Sequence, residues 1–162
     1  MAVPGLSGTM TGDENGATAL KPGGTITLPL VTGDIRMNVL GTVTEVRDDR
    51  VYAFGHSFLG YGAVDLPMAG GKVYTVVSSM MRSFKLGTSS EIVGALTTDE
   101  YAAISGRIGA KPKMVPLSIR VERYNDPSPR TYNCQVAYND GLTGQPVRSA
   151  IAGAALELAS GA

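Results

Sequence analysis

The chain has a single histidine, His56, in the stretch Val51-Tyr-Ala-Phe-Gly-His56-Ser-Phe-Leu-Gly60-Tyr-Gly62. Imidazole is the one side chain whose unperturbed pKa lies near neutrality, so it can take up and return a proton. Glycines on both sides let the chain turn sharply and bring backbone close to whatever the ring faces. The same position also suits a hydrogen-bonded residue at the rim of a strand, and both readings stand. Cys134 is the only cysteine, which rules out an internal disulfide and a cysteine-based zinc site. It lies in the alternating stretch Thr131-Tyr-Asn-Cys-Gln-Val-Ala-Tyr138, where it reads as a small core residue. A transition-metal site would have to draw on scattered carboxylates. No phosphate loop, dinucleotide motif or metal-ligand spacing is present, so no cofactor is expected.

A length of 162 residues suits one domain with a substantial core. Fourteen basic residues balance fourteen acidic ones. The densest charge run, Arg47-Asp-Asp-Arg50, neutralises itself and reads as a turn. The basic stripe that nucleic-acid binding requires is missing, as are an apolar run of membrane-spanning length and a leader signal. Twenty-one glycines, nine prolines, no tryptophan and 17% charge, with many β-branched residues, favour a β-rich domain rich in turns.

Residues 1–24 are small and polar and read as a loop or arm. Strand signals follow: 25–31, where Pro29 argues for an edge strand; 35–46, with Gly41 as a bulge; and 51–54, which forms a hairpin with 35–46 and delivers His56 at its far end. After a glycine-rich loop over 60–71, strands are predicted at 72–77, 91–96, 103–108, 114–121 and 130–138, the last two joined by an Asn-Asp-Pro turn. From Pro146 the spacing changes to threes and fours (Val147, Ile151, Ala154/Ala155, Leu158), which predicts a helix over 146–160 with Pro146 at its first position. Eight or nine short strands in residues 25–145 predict a closed or nearly closed antiparallel barrel or sandwich.

The stretch Leu40-Gly-Thr-Val-Thr-Glu-Val-Arg-Asp-Asp-Arg-Val-Tyr-Ala-Phe-Gly-His56, then Val64-Asp-Leu-Pro67, Ser83-Phe-Lys-Leu-Gly-Thr-Ser-Ser-Glu91-Ile-Val-Gly94 and Ile104-Ser-Gly-Arg-Ile-Gly109, resembles the stage IV sporulation protein B peptidase family of serine endopeptidases. The pattern spans roughly residues 20–145. The resemblance implies a chymotrypsin-like β-barrel; with the strands and helix predicted above, the expected fold is mainly β, a barrel of short antiparallel strands with a C-terminal helix. It also implies His56 as general base, peptide-bond hydrolysis by a serine nucleophile, a protein or peptide substrate, and an extracytoplasmic or secreted bacterial location.

The family's serine lies in a Gly-Met-Ser-Gly-Ser-Pro block, and the nearest counterpart is Gly5-Leu6-Ser7-Gly8-Thr9-Met10, without the proline. Gly-x-Ser-Gly permits the tight turn that exposes the hydroxyl and aims backbone N–H groups at an oxyanion. Ser7 is therefore the candidate nucleophile, with Ser89 and Ser90 as fallback. Asp65 is the candidate for accepting the imidazole's other N–H, although a histidine without a carboxylate partner is also admissible. Lys72 and Lys85 offer a serine–lysine dyad as a further option, each flanking a strand where its ordinary role is to reach the surface. Two other readings stay open: a catalytically silent barrel that binds a peptide or assembles with copies of itself, and a fragment whose nucleophile lies on a missing segment.

Overall fold

The structure, a computed structural model, describes residues 19–77, 84–124 and 126–160. In chain order the elements are β1 (Thr25–Gly33), β2 (Met37–Arg47), β3 (Arg50–Ala53), β4 (Gly62–Val77), β5 (Phe84–Asp99), β6 (Ile104–Ile108), β7 (Met114–Arg123), β8 (Asp126–Ala137) and α1 (Gly144–Ser160). All strand pairings are antiparallel. The spatial order is β2-β3-β6-β5-β4-β1-β8-β7, and β2 also pairs with β1. Six strands therefore close into a ring, and the β7–β8 hairpin extends it from β1. The run β4-β1-β2-β3 is a Greek key, whose long connection, residues 54–61, carries His56.

The expected mainly β architecture is present, but the ring is not a regular barrel. At the β1–β4 seam only Ile26↔Gly70 and Thr27↔Ala69 pair. Further along, β1 leaves β4 and pairs with β8 at Val31, Thr32 and Gly33. Pro29 sits between these two partnerships, next to an irregularity in the pairing with β2. A residue without an N–H is tolerated there because the strand is changing neighbours. So β1 is no edge strand: its residues from Ile26 to Val31 are all buried.

Both faces of β1 are covered. Ile26, Leu28 and Leu30 point into the ring with Val43, Val51, Leu66, Met68, Leu96 and Ile104. On the outer face, Val31 joins Ile119, Tyr132, Cys134, Val136, Ala150 and Ala154 in a second core beneath α1. Cys134 is thus a buried core thiol. The helix turns Ala150 and Ala154 inward and leaves Ile151 exposed. Small side chains allow close approach to the sheet, so the buried stripe is rotated from the one the larger apolar residues suggest; the Leu158 side chain lies outside the described ones. Among the described residues no helix is long and apolar enough to cross a membrane.

The glycine-rich segment 60–71 is not the predicted loop. From Gly62 it forms the first half of β4, with Leu66 to Gly71 buried. Small residues there let other chains lie against the strand: a Cβ on Gly71 would collide with the Thr27 methyl and the Thr88 carbonyl. Beyond Gly71, β4 and β5 continue as a ribbon over the outside of β1 and β2. Gly87 lies against Leu40, and Lys85 Nζ donates to Thr42 Oγ1 at 3.3 Å. Under this ribbon Thr27, fully buried, donates to the Gly70 carbonyl (3.0 Å) and can accept from Ser89 Oγ (2.7 Å).

Thr27→Val removes this hydroxyl while keeping the shape, leaving the Ser89 hydroxyl and a strand carbonyl short of a partner. We expect a loss of about 1–2 kcal/mol in unfolding free energy, measured by chemical denaturation; an unchanged midpoint would show that the hydroxyl pair does not hold the ribbon down.

Candidate functional site

Residues 54–61 close one end of the ring. Across that end the strands are in register through Ala53↔Ile104, Ile104↔Asp99 and Asp99↔Gly62. The connection leaves β3 after Ala53 and lands on β4 at Gly62. It must therefore pass over the start of β6 and the end of β5, three interstrand steps or roughly 14 Å. Asp99 lies directly on this route.

Asp99 is 1% exposed. Its Oδ1 accepts the Phe58 N–H at 2.6 Å, and its Oδ2 accepts those of Leu59 (2.7 Å), Gly60 (2.8 Å) and, more loosely, Tyr61 (3.4 Å). Successive N–H groups converging on one anion form a backbone nest. No cation pairs with Asp99 among the described residues. Burying a carboxylate costs several kcal/mol. A hydrogen bond to a charged group contributes about 1.5–3 kcal/mol, so the three short bonds are enough to offset that cost.

The entrance to the loop is strained. Phe54 has φ 73° and Gly55 φ 72°. Glycine tolerates this region freely, but a bulky residue there costs about 1–3 kcal/mol and persists only where its surroundings demand it. Two contacts do so here: the Phe54 N–H donates to the Thr42 carbonyl at 3.0 Å, and the Phe54 ring fills the space where a Gly41 Cβ would stand. Gly41 thus makes room for an aromatic ring. The ring also meets Phe58 edge-on (centroids 6.5 Å, 88°) and His56 at 5.6 Å.

His56 is exposed, and its Nδ1 lies 2.6 Å from the Ser57 carbonyl oxygen. A carbonyl only accepts, so Nδ1 carries the proton and Nε2 of the neutral ring keeps its lone pair. That leaves a basic nitrogen at the protein surface. Among the described residues no side chain hydrogen-bonds the ring. Asp65 is exposed on β4 and is not joined to His56 by a hydrogen bond. Ser7 lies outside the described residues. Ser89 and Ser90 lie within β5; Ser89 bonds Thr27 and the Ser90 carbonyl, and Ser90 bonds the Glu91 carbonyl. Ser89 is ten positions up β5 from Asp99, on the order of 30 Å along the strand, so the structure does not bring it to the loop. Lys72 and Lys85 are exposed on the ribbon. No group of three His, Cys, Asp or Glu side chains placed to hold a metal occurs among the described residues.

Asp99 is the residue that reading the sequence missed. In Thr97-Thr98-Asp99-Glu100 it looks like an ordinary turn former at a strand end, and its partners are about forty positions away. Phe54 gave no signal either, since nothing in its type announces a left-handed backbone.

Gly41→Ala should displace the Phe54 ring and destabilise the fold by about 1–3 kcal/mol, read by denaturant unfolding, with the His56 ring resonances shifting as well; a variant of wild-type stability and unchanged His56 resonances would contradict this packing. Comparison with known proteins identifies no relative: no family model matches the chain, and no curated protein or solved structure matches it.

Proposed function

We propose that the chain is a serine endopeptidase domain in which His56 is the general base and Ser7 the nucleophile. The observation that carries the reading is the His56–Ser57 hydrogen bond, which commits Nδ1 as a donor and leaves Nε2 free to accept a proton. Nε2 removes the Ser7 hydroxyl proton as Oγ attacks the substrate carbonyl, then gives that proton to the departing amine. Water hydrolyses the acyl-enzyme by the same two transfers in reverse. The role usually played by a carboxylate, fixing the tautomer and orientation of the ring, falls here to a backbone carbonyl.

Two observations favour Ser7. The Gly5-Leu6-Ser7-Gly8 block has the residues that a tight, exposed turn needs. The chain also enters the described fold beside the site: Gly23 donates to the Val43 carbonyl and Val43 to that of Gly24, both at 2.9 Å, and Val43 pairs with Ala53, three residues before His56. Sixteen positions separate Ser7 from Gly23, a reach of up to about 55 Å, ample to meet Nε2. The resemblance to the sporulation peptidases agrees with this assignment and with an extracytoplasmic location. A second reading, a catalytically silent ring that binds a peptide or pairs with its own copies, is favoured by the lack of a side-chain carboxylate on His56 among the described residues.

A fluorophosphonate probe separates the two. Labelling should map to Ser7, vanish in Ser7→Ala and slow by at least about 10³-fold in His56→Gln. Folded protein that stays unlabelled from about pH 6 to 9, or a label indifferent to His56→Gln, would favour the silent module.

A further inference from the structure

We propose that Asp99 is the positioning residue for His56 and acts through a single peptide group. The N–H of Phe58 and the C=O of Ser57 belong to the same planar unit. Asp99 Oδ1 accepts that N–H at 2.6 Å, and the carbonyl at the other end of the unit accepts His56 Nδ1–H at 2.6 Å. The sequence of contacts is carboxylate, peptide group, imidazole.

Two physical consequences follow from this line. The first is orientation. A trans peptide is rigid, so fixing its N–H fixes the direction of its carbonyl. Leu59 and Gly60, held by Oδ2 at 2.7 and 2.8 Å, prevent the peptide from rotating about its flanking bonds. The second is polarisation. A negative charge on the N–H end of an amide strengthens its carbonyl as an acceptor, because hydrogen bonds in series reinforce each other where the dielectric is low. The buried carboxylate thus does for His56 what a directly bonded aspartate does in a catalytic triad, with one amide in between. Asp99 touches no reacting atom; it sets the tautomer and aim of the group that does.

The proposal rests on the reading of His56 as general base, but its main test does not require activity. Because His56 is the only histidine, a long-range ¹H–¹⁵N correlation spectrum contains one imidazole. At about pH 8.5, well above the ordinary range for an imidazole, the wild-type protein should show the Nδ1–H tautomer. An Nε2–H ring overturns the proposal whether or not any variant folds. In Asp99→Asn, an amide NH₂ faces backbone donors, and the ring should pass to a mixture of tautomers. Fluorophosphonate labelling of Ser7 should slow by about 10- to 100-fold, the range for groups that orient a functional residue from one contact away. Ile119→Ala, in the second core, controls for lost stability and should keep both the wild-type tautomer and the wild-type labelling rate. A folded Asp99→Asn protein with His56 still in the Nδ1–H form, or an Ile119→Ala protein that loses it, overturns the proposal. A tautomer change in Asp99→Asn together with unlabelled wild-type protein upholds the positioning role and refutes the peptidase.

Discussion

A carboxylate sealed from water with no cation beside it among the described residues needs compensating dipoles, and at one end of this ring the backbone of residues 58–61 supplies them. This requirement follows from the topology. With β3 and β4 separated by β6 and β5, the connection between them has to cross the mouth of the ring, and Asp99 ends the strand it crosses last before landing. Loop and carboxylate therefore constrain each other: the loop buries the charge, and the charge orders the loop. His56 stands two residues before the first of those N–H groups, on a loop whose next turn is bonded to the buried carboxylate.

The remaining features of the site fit that constraint. A chain that must leave β3 and turn at once across the mouth is forced into a left-handed bend, and Phe54 takes it up at a cost of about 1–3 kcal/mol. Its aromatic ring recovers part of that by packing in the slot that Gly41 leaves open and against Phe58. The partly buried Phe54 and Phe58 also pack against the ring's own core. One chain of contacts thus runs from the core, through two aromatic rings and a buried anion, to an exposed imidazole. The β7–β8 hairpin and α1 serve the fold differently: they cover the outer face of β1 and allow a strand with a proline in it to be the most enclosed in the molecule.

Much of this was readable in the residues. Alternation located β1, β2, β7 and β8, a weaker strand signal located β6, and the switch to spacing by threes and fours located α1. The Arg47-Asp-Asp-Arg50 turn sits where its composition placed it, with Asp48 at φ 53° and Asp49 bridged to Arg107 at 2.7 Å. Local pattern failed where burial on both faces replaced alternation. Leu66 to Gly71 lost the period-two signal because neither side meets water, and their glycines, which mark a loop in an exposed segment, mark close strand contact here. Pro29 misled for a related reason, since a strand that changes partners has an unpaired point without being an edge. His56 stood out by being unique and flanked by glycines. Asp99 could not, because its role is defined by a loop some forty positions away and by the strand order that brings the two together.

The measurement closest to the central claim is site-resolved amide hydrogen exchange in the intact chain. Leu59 and Gly60 belong to an exposed loop outside any strand, and among the described residues their amides bond only the Asp99 carboxylate. If that anion holds the loop, these two amides exchange at least about 100-fold more slowly than their unstructured rates. Exchange at the unstructured rate, in a protein whose β1 and β4 amides remain protected, would mean that the carboxylate does not hold the loop and that His56 rides on an ordinary mobile turn.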